Sequence, residues 1–160
     1  MEITTEPIDD IICPDERPAY IYISGPMTKP GFELSQKISK EVARIEGKLV
    51  AAGFAVFSPW GSVNHIENWD GTCEADHSDW IEADCEWLFA MYAMREFGLA
   101  ESASILMLSF DSDGKIDYHC MYPWQDSKGA RTEYEYAANR NFDLYEWAED
   151  GLLEMNGGDA

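Results

Sequence analysis

Tyr20-Ile21-Tyr22-Ile23-Ser24-Gly25-Pro26, followed one helix-length later by Phe54-Ala55-Val56-Phe57-Ser58-Pro59, decides how this chain folds. Each segment is a short β-branched and aromatic run stopped by a tight turn, the pattern of a buried strand. Between them Leu34, Ile38, Val42, Ile45 and Leu49 recur at steps of four, four, three and four, which places them on one helical face. Gly53 stands where a left-handed residue closes a helix. Strand, helix and strand at this spacing predict a right-handed βαβ unit and a parallel sheet.

Outward from that unit, residues 60–77 carry no period and read as a long loop at the carboxyl end of the second strand, a place that commonly serves a ligand. A helix is predicted from an N-cap at Ser78 through Trp80, Asp84, Trp87, Leu88 and Met91 to Gly98. Ser104 to Leu108 is an uninterrupted apolar run, the mark of a strand covered on both faces. Residues 109–126 read as a second irregular stretch. Ser127-Lys128-Gly129-Ala130 then opens a helix reaching about Asn139, and Asp143 to Trp147 suggests a further short strand. The expected organisation is an acidic lead-in at 1–18, one α/β domain at 19–147 and an acidic tail at 148–160.

Composition narrows the partners. The 160 residues hold thirty-one acids against eleven bases, a formal charge of −20, which repels a phosphate backbone. Nucleic acid is not expected as a partner, although a strongly acidic chain is also compatible with mimicry of nucleic acid toward a basic protein. The apolar runs are too short for a bilayer span, and the opening Met1-Glu2-Ile3-Thr4 lacks a secretory pattern, so a soluble cytoplasmic protein without membrane contact is expected. Cys13, Cys73, Cys85 and Cys120 are spaced 60, 12 and 35 apart with no Cys-x-x-Cys pair. Reduced, packed thiols are expected, with no metal.

In a parallel sheet ligands sit beyond the carboxyl ends of the strands. Three turns qualify: Ser24-Gly25-Pro26-Met27-Thr28, Ser58-Pro59-Trp60, and Ser127-Lys128-Gly129-Ala130. Each taken alone also reads as a simple turn, and Ser127 as a helix cap. By composition Glu133, between Arg131 and Glu135, reads as an ordinary exposed acid, and Asp84 shares its helix with Glu82 and Glu86.

Taken in order, Tyr-Ile-Ser-Gly-Pro-Met-Thr at 22–28, Leu-x-x-x-Gly at 49–53, Val-Phe-Ser-Pro at 56–59, Trp-Ile-x-x-Asp at 80–84 and Ser-x-Gly-Ala-x-x-Glu at 127–133 resemble the nucleoside 2-deoxyribosyltransferase-like family. The likeness spans residues 19 to about 140 and is nearest to its small phage and bacterial members. It implies a flavodoxin-like or Rossmann-like three-layer sandwich with a central parallel sheet of four to five strands. It implies cleavage of the N-glycosidic bond of a deoxynucleoside or its 5′-monophosphate, by hydrolysis or deoxyribosyl transfer, without a cofactor.

By the same resemblance Glu133 is the nucleophile, Asp84 contacts or protonates the base, and Tyr22, Ser24, Gly25, Pro26 and Met27 line the sugar pocket with Ser58 and Trp60 near it. Ser127, Gly129 and Ala130 form the loop that holds a 5′-phosphate in monophosphate hydrolases, and a homo-oligomer is implied. Two departures stand out: Ala103 occupies the position of a family Asp, and the stretch 109–126 is expanded. They keep open a nucleotide-binding protein that has lost the chemistry.

Overall fold

The computed structural model describes residues 17–26, 32–61, 77–116 and 122–155. Five strands, β1 (Ala19–Ser24), β2 (Phe54–Phe57), β3 (Ser102–Met107), β4 (Asp143–Ala148) and β5 (Gly151–Glu154), form one sheet in the order β2-β1-β3-β4-β5. Three long helices flank it: α1 (Phe32–Ala51), α2 (His77–Glu96) and α3 (Lys128–Ala138). The first four strands are parallel and β5 runs antiparallel to β4. This is a three-layer α/β sandwich of the flavodoxin or Rossmann type.

The alternation of the strands distributes the core. Ile21, Ile23, Leu106 and Leu108 pack under Ile38, Val42, Ile45 and Leu49 of α1 on one face. Tyr22, Ala103, Ile105 and Met107 point to the other face, against Leu88 and Met91 of α2 and Ala130 and Ala137 of α3. Period-two strands buried on both sides read as continuous apolar runs, which is why β1 and β3 are visible in sequence. Gly53, at φ 102°, turns the chain from α1 into β2.

Two segments differ from expectation. The acidic segment after Trp147 begins as structure: Glu149 and Asp150 adopt positive φ of 51° and 59°, the turn that folds β5 back on β4. Leu152 then packs against the α1-side core, while Asp150 pairs with Arg44 at 3.0 Å and Lys48 at 3.6 Å. Acidic composition hid a two-residue hairpin turn.

The described part of 109–126 is likewise packed. Phe110 is fully buried and bridges both Ile116 and Tyr122. The Asp111 carboxylate accepts the Asp113 and Lys115 amides at 2.8 and 2.9 Å, an Asx-type turn. Gly114, at φ 80°, lies against Lys37 and Ile38 of α1. Smaller offsets involve α2, which begins one residue before Ser78, and β3, which begins at Ser102.

Candidate active site

The chain crosses from one side of the sheet to the other between β1 and β3, because β1 connects to β2 on one flank and β3 to β4 on the other. In open parallel sheets such a reversal is where ligands sit, beyond the carboxyl edge. Tyr22 and Ser24, two residues apart on β1, present their side chains to the α2–α3 face and are 0% and 1% exposed. α3 begins just beyond the site. Its Ser127 Oγ accepts the Ala130 amide at 3.3 Å, capping the helix and setting the register that turns Glu133 inward.

Glu133 is 6% exposed, although Arg131 and Glu135 on the same helix are exposed, so its composition-based reading as a surface acid is wrong. Asp84 comes from the middle of α2 and is partly buried. Arg95 fixes α2 against the end of α3 by donating to the carbonyls of Arg140 and Asn141 at 2.6 and 2.8 Å.

These four residues act on one another electrically. Burial pushes the Glu133 carboxyl up to about 8, and the nearby Asp84 charge adds to the rise, while the Ser24 and Tyr22 hydroxyls oppose it. Burial likewise raises Asp84 to about 7, with Glu133 and Tyr22 favouring its anion. The Tyr22 phenol is held well above its ordinary range by burial and by both carboxyls. Two carboxyls that share a desolvated site cannot both ionise near neutrality, so the pair keeps one proton between them.

The Tyr22 hydroxyl, the Ser24 hydroxyl and Glu133 Oε2 are buried without a well-formed hydrogen bond, although both hydroxyls lie near enough to Glu133 to oppose the rise of its pKa. Three such atoms in one place are costly, since each unmet buried group costs about 1–3 kcal/mol. Clusters of this kind mark places where a ligand supplies the missing partners.

Gly25 is tightly packed: a Cβ there would lie 2.8 Å from the Leu108 carbonyl and 3.0 Å from the Trp60 ring. Close packing by itself requires glycine there. Pro26 is buried beside it, and Met27 lies outside the described residues. Ser58 accepts the Trp60 amide at 3.3 Å. Trp60 is in the α1-side core, edge-on to Phe110 at 6.2 Å, on the opposite face of the sheet from Glu133. Gly129 and Ala130 are buried in the first turn of α3, one turn before Glu133.

Sequence reasoning missed Phe57 and Trp87. Phe57 stacks on Tyr22 at 5.3 Å and on Trp87 at 4.7 Å, so an aromatic column runs from the carboxyl pair toward solvent. Trp87 stands three residues after Asp84, the helical spacing of neighbours, which is the signal that links them. Cys85 is a half-buried free thiol pushed up to about 11 by burial and then by the Glu133 and Asp84 charges, which keeps it unreactive.

Comparison with protein-family models, with curated proteins and with solved structures finds no match to this chain. Among the described residues no cluster of His, Cys, Asp and Glu is arranged to hold a metal, and no helix is long and apolar enough to cross a membrane.

Proposed function

We propose that the chain cleaves the N-glycosidic bond of a deoxynucleoside or deoxynucleoside monophosphate, with Glu133 as nucleophile. The observation that carries this reading is the buried Glu133–Asp84 pair, flanked by the hydroxyls of Tyr22 and Ser24 at the carboxyl edge of the sheet.

A pair that shares one proton offers both functions the reaction needs. The shared proton, which Glu133 holds at rest, passes to Asp84, and ionised Glu133 then attacks the anomeric carbon, an ester bond forming as the carbon–nitrogen bond breaks. The bond electrons pass to the base nitrogen, which takes the proton held by Asp84. Water, or a second base, then releases the sugar from Glu133, and Asp84 accepts the proton from water. This division between a carboxylate and a carboxylic acid is that of retaining glycosidases. The Tyr22 and Ser24 hydroxyls supply hydrogen bonds to the carboxylate and to sugar oxygens, and no metal enters any step.

The test is release of free base from a panel of deoxynucleosides and their 5′-monophosphates, read by chromatography, with Glu133→Gln in parallel. Base release that disappears in Glu133→Gln supports the proposal; no release from any member of the panel overturns it.

The burial that raises Glu133 also supports a second reading, a nucleotide-binding protein in which neutral Glu133 serves as a hydrogen-bond donor. In that case a nucleotide raises the melting temperature of both wild type and Glu133→Gln while neither releases base.

A further inference from the structure

β2 is the outer strand of the sheet: β1 pairs with it on one side, and its other side is an edge. On an edge strand every second residue points its N–H and C=O away from the sheet. Proteins blunt such edges with charges, prolines or bulges. Phe54-Ala55-Val56-Phe57 has no charge and no proline, and its one-to-one register with Ala19 to Tyr22 leaves no bulge.

Two flanks border this edge. On the α2 side, Ala55 and Phe57 face Ala90, Met91 and Met94 across a groove of ≈ 230 Å³. Glu86, one turn before Ala90, stands exposed at its outer rim. On the α1 side the helix period decides which residues lie there. Glu41, Arg44 and Lys48 make one stripe of α1, tied to Asp150 in the turn between β4 and β5. β5 and β2 are opposite ends of the sheet. The stripe on the other side of the buried face, Ser39, Ala43, Glu46 and Val50 at steps of four, three and four, therefore overlies the β2 edge. Glu46 is half-buried there and Val50 is 59% exposed.

We infer that the β2 edge takes up an extended basic segment of another protein as a further strand. The main chain of the guest pairs with the outward N–H and C=O groups of β2. Its side chains alternate, so apolar residues two apart enter the groove beside Phe57 and Met94, and the intervening ones lie along Val50. Lysine or arginine at the ends of the segment meets Glu86 on one flank and Glu46 on the other, within the field of a chain of net charge −20. A second copy of this chain is a poor guest, since edge-to-edge pairing would set Glu46 and Glu86 against their own copies. Neither carboxyl of the candidate active site takes part, so the edge binds whether or not Glu133 is a nucleophile.

The probe is the acetylated and amidated peptide Lys-Val-Thr-Val-Thr-Lys, whose first lysine shares a face with the threonines and whose last shares a face with the valines. It is titrated into the isotope-labelled full chain and followed by amide NMR shifts, which register affinities as weak as about 1 mM. Saturating shifts are expected at Phe54 to Phe57, at Ala90 and at the Trp87 indole, with binding that weakens several-fold between about 0.05 and about 0.5 M NaCl. Of two analogues, N-methylated on the valines or on the threonines, one should lose binding and the other keep it, because only one set of N–H groups faces β2. Glu46→Lys/Glu86→Lys, which leaves the core untouched, should reverse the preference and bind Glu-Val-Thr-Val-Thr-Glu instead. No shifts at β2, equal binding by the two methylated analogues, a charge-swapped variant that still prefers lysine, or β2 shifts that follow protein concentration without peptide would each overturn the inference.

Discussion

Replacing Glu133 with Gln should make the protein more stable while abolishing its chemistry, and the gain should grow with pH. The ordinary carboxyl value is 4.5 and the folded one about 8, so between those limits the folded state binds more protons than the unfolded state. Stability therefore falls as pH rises through that window. At about 1.4 kcal/mol per pH unit, the penalty at pH 7 reaches about 3 kcal/mol.

Part of the resulting gain is given back at Asp84, whose rise comes from burial and whose anion the Glu133 hydrogen bond favours. A net gain of about 1.5–2 kcal/mol for Glu133→Gln follows, or roughly 4–6 °C in melting temperature for a domain of this size. Gln keeps the shape of Glu, and its amide can donate to the Tyr22 or Ser24 oxygen, neither of which is held in a well-formed hydrogen bond. Urea unfolding of both proteins at about pH 5 and about pH 8 reads the effect, with the gain under about 1 kcal/mol at the lower pH. A gain that does not vary with pH, or a loss of stability at pH 8, would refute the account, because it would mean that Glu133 is ionised and satisfied in the folded protein.

Three further outcomes follow from the geometry. The pH profile of base release should be bell-shaped, since only the singly protonated pair is active, and Asp84→Asn should lower kcat by about 10²–10⁴-fold and remove the alkaline limb, read from initial rates across pH. Gly25→Ala should cost about 1–3 kcal/mol in denaturant unfolding, because its methyl meets the Leu108 carbonyl at 2.8 Å, a backbone atom that cannot step aside. A chain ending at Ala148 should melt well below wild type whereas one ending at Met155 should not, since β5 and the bond from the Met155 amide to the Leu144 carbonyl belong to the sheet.

The parts of the fold legible in sequence are those in which one periodicity dominates. β1, β2 and α1 were visible because Ile21, Ile23, Ile38, Val42 and Ile45 share one core and repeat at the period of their own element. β5 was not legible, because Glu149 and Asp150 look like tail residues and their role as a positive-φ turn is a backbone property. The same holds at the site. The pairing of Glu133 with Asp84 joins residues far apart in the chain, so neither periodicity nor composition indicates it, and only the ordered motifs linked them. Gly25 stands out in sequence as a turn glycine, but its packing against the Leu108 carbonyl and the Trp60 ring is a tertiary property, as is the place of Trp60 in the α1-side core.

The placement of the two carboxyls on different helices has a consequence for how the site works. Tyr22 and Ser24 are fixed by the central strand, with parallel neighbours on both sides. Glu133 is fixed by the capped start of α3 and Asp84 by the middle of α2. The proton shared by the pair therefore depends on how closely α2 approaches α3, since a small separation admits water and returns each carboxyl toward its ordinary value. The clamp at the far end of the two helices is Arg95, whose guanidinium donates to the Arg140 and Asn141 carbonyls and lies 5.6 Å from the centre of the Phe142 ring. Arg95→Met should therefore let the helices part and return both carboxyls toward their ordinary values, read as a weaker dependence of stability on pH. The guanidinium also pairs with Glu96 at 3.3 Å, so its charge is spent at the end of α3 away from the pair.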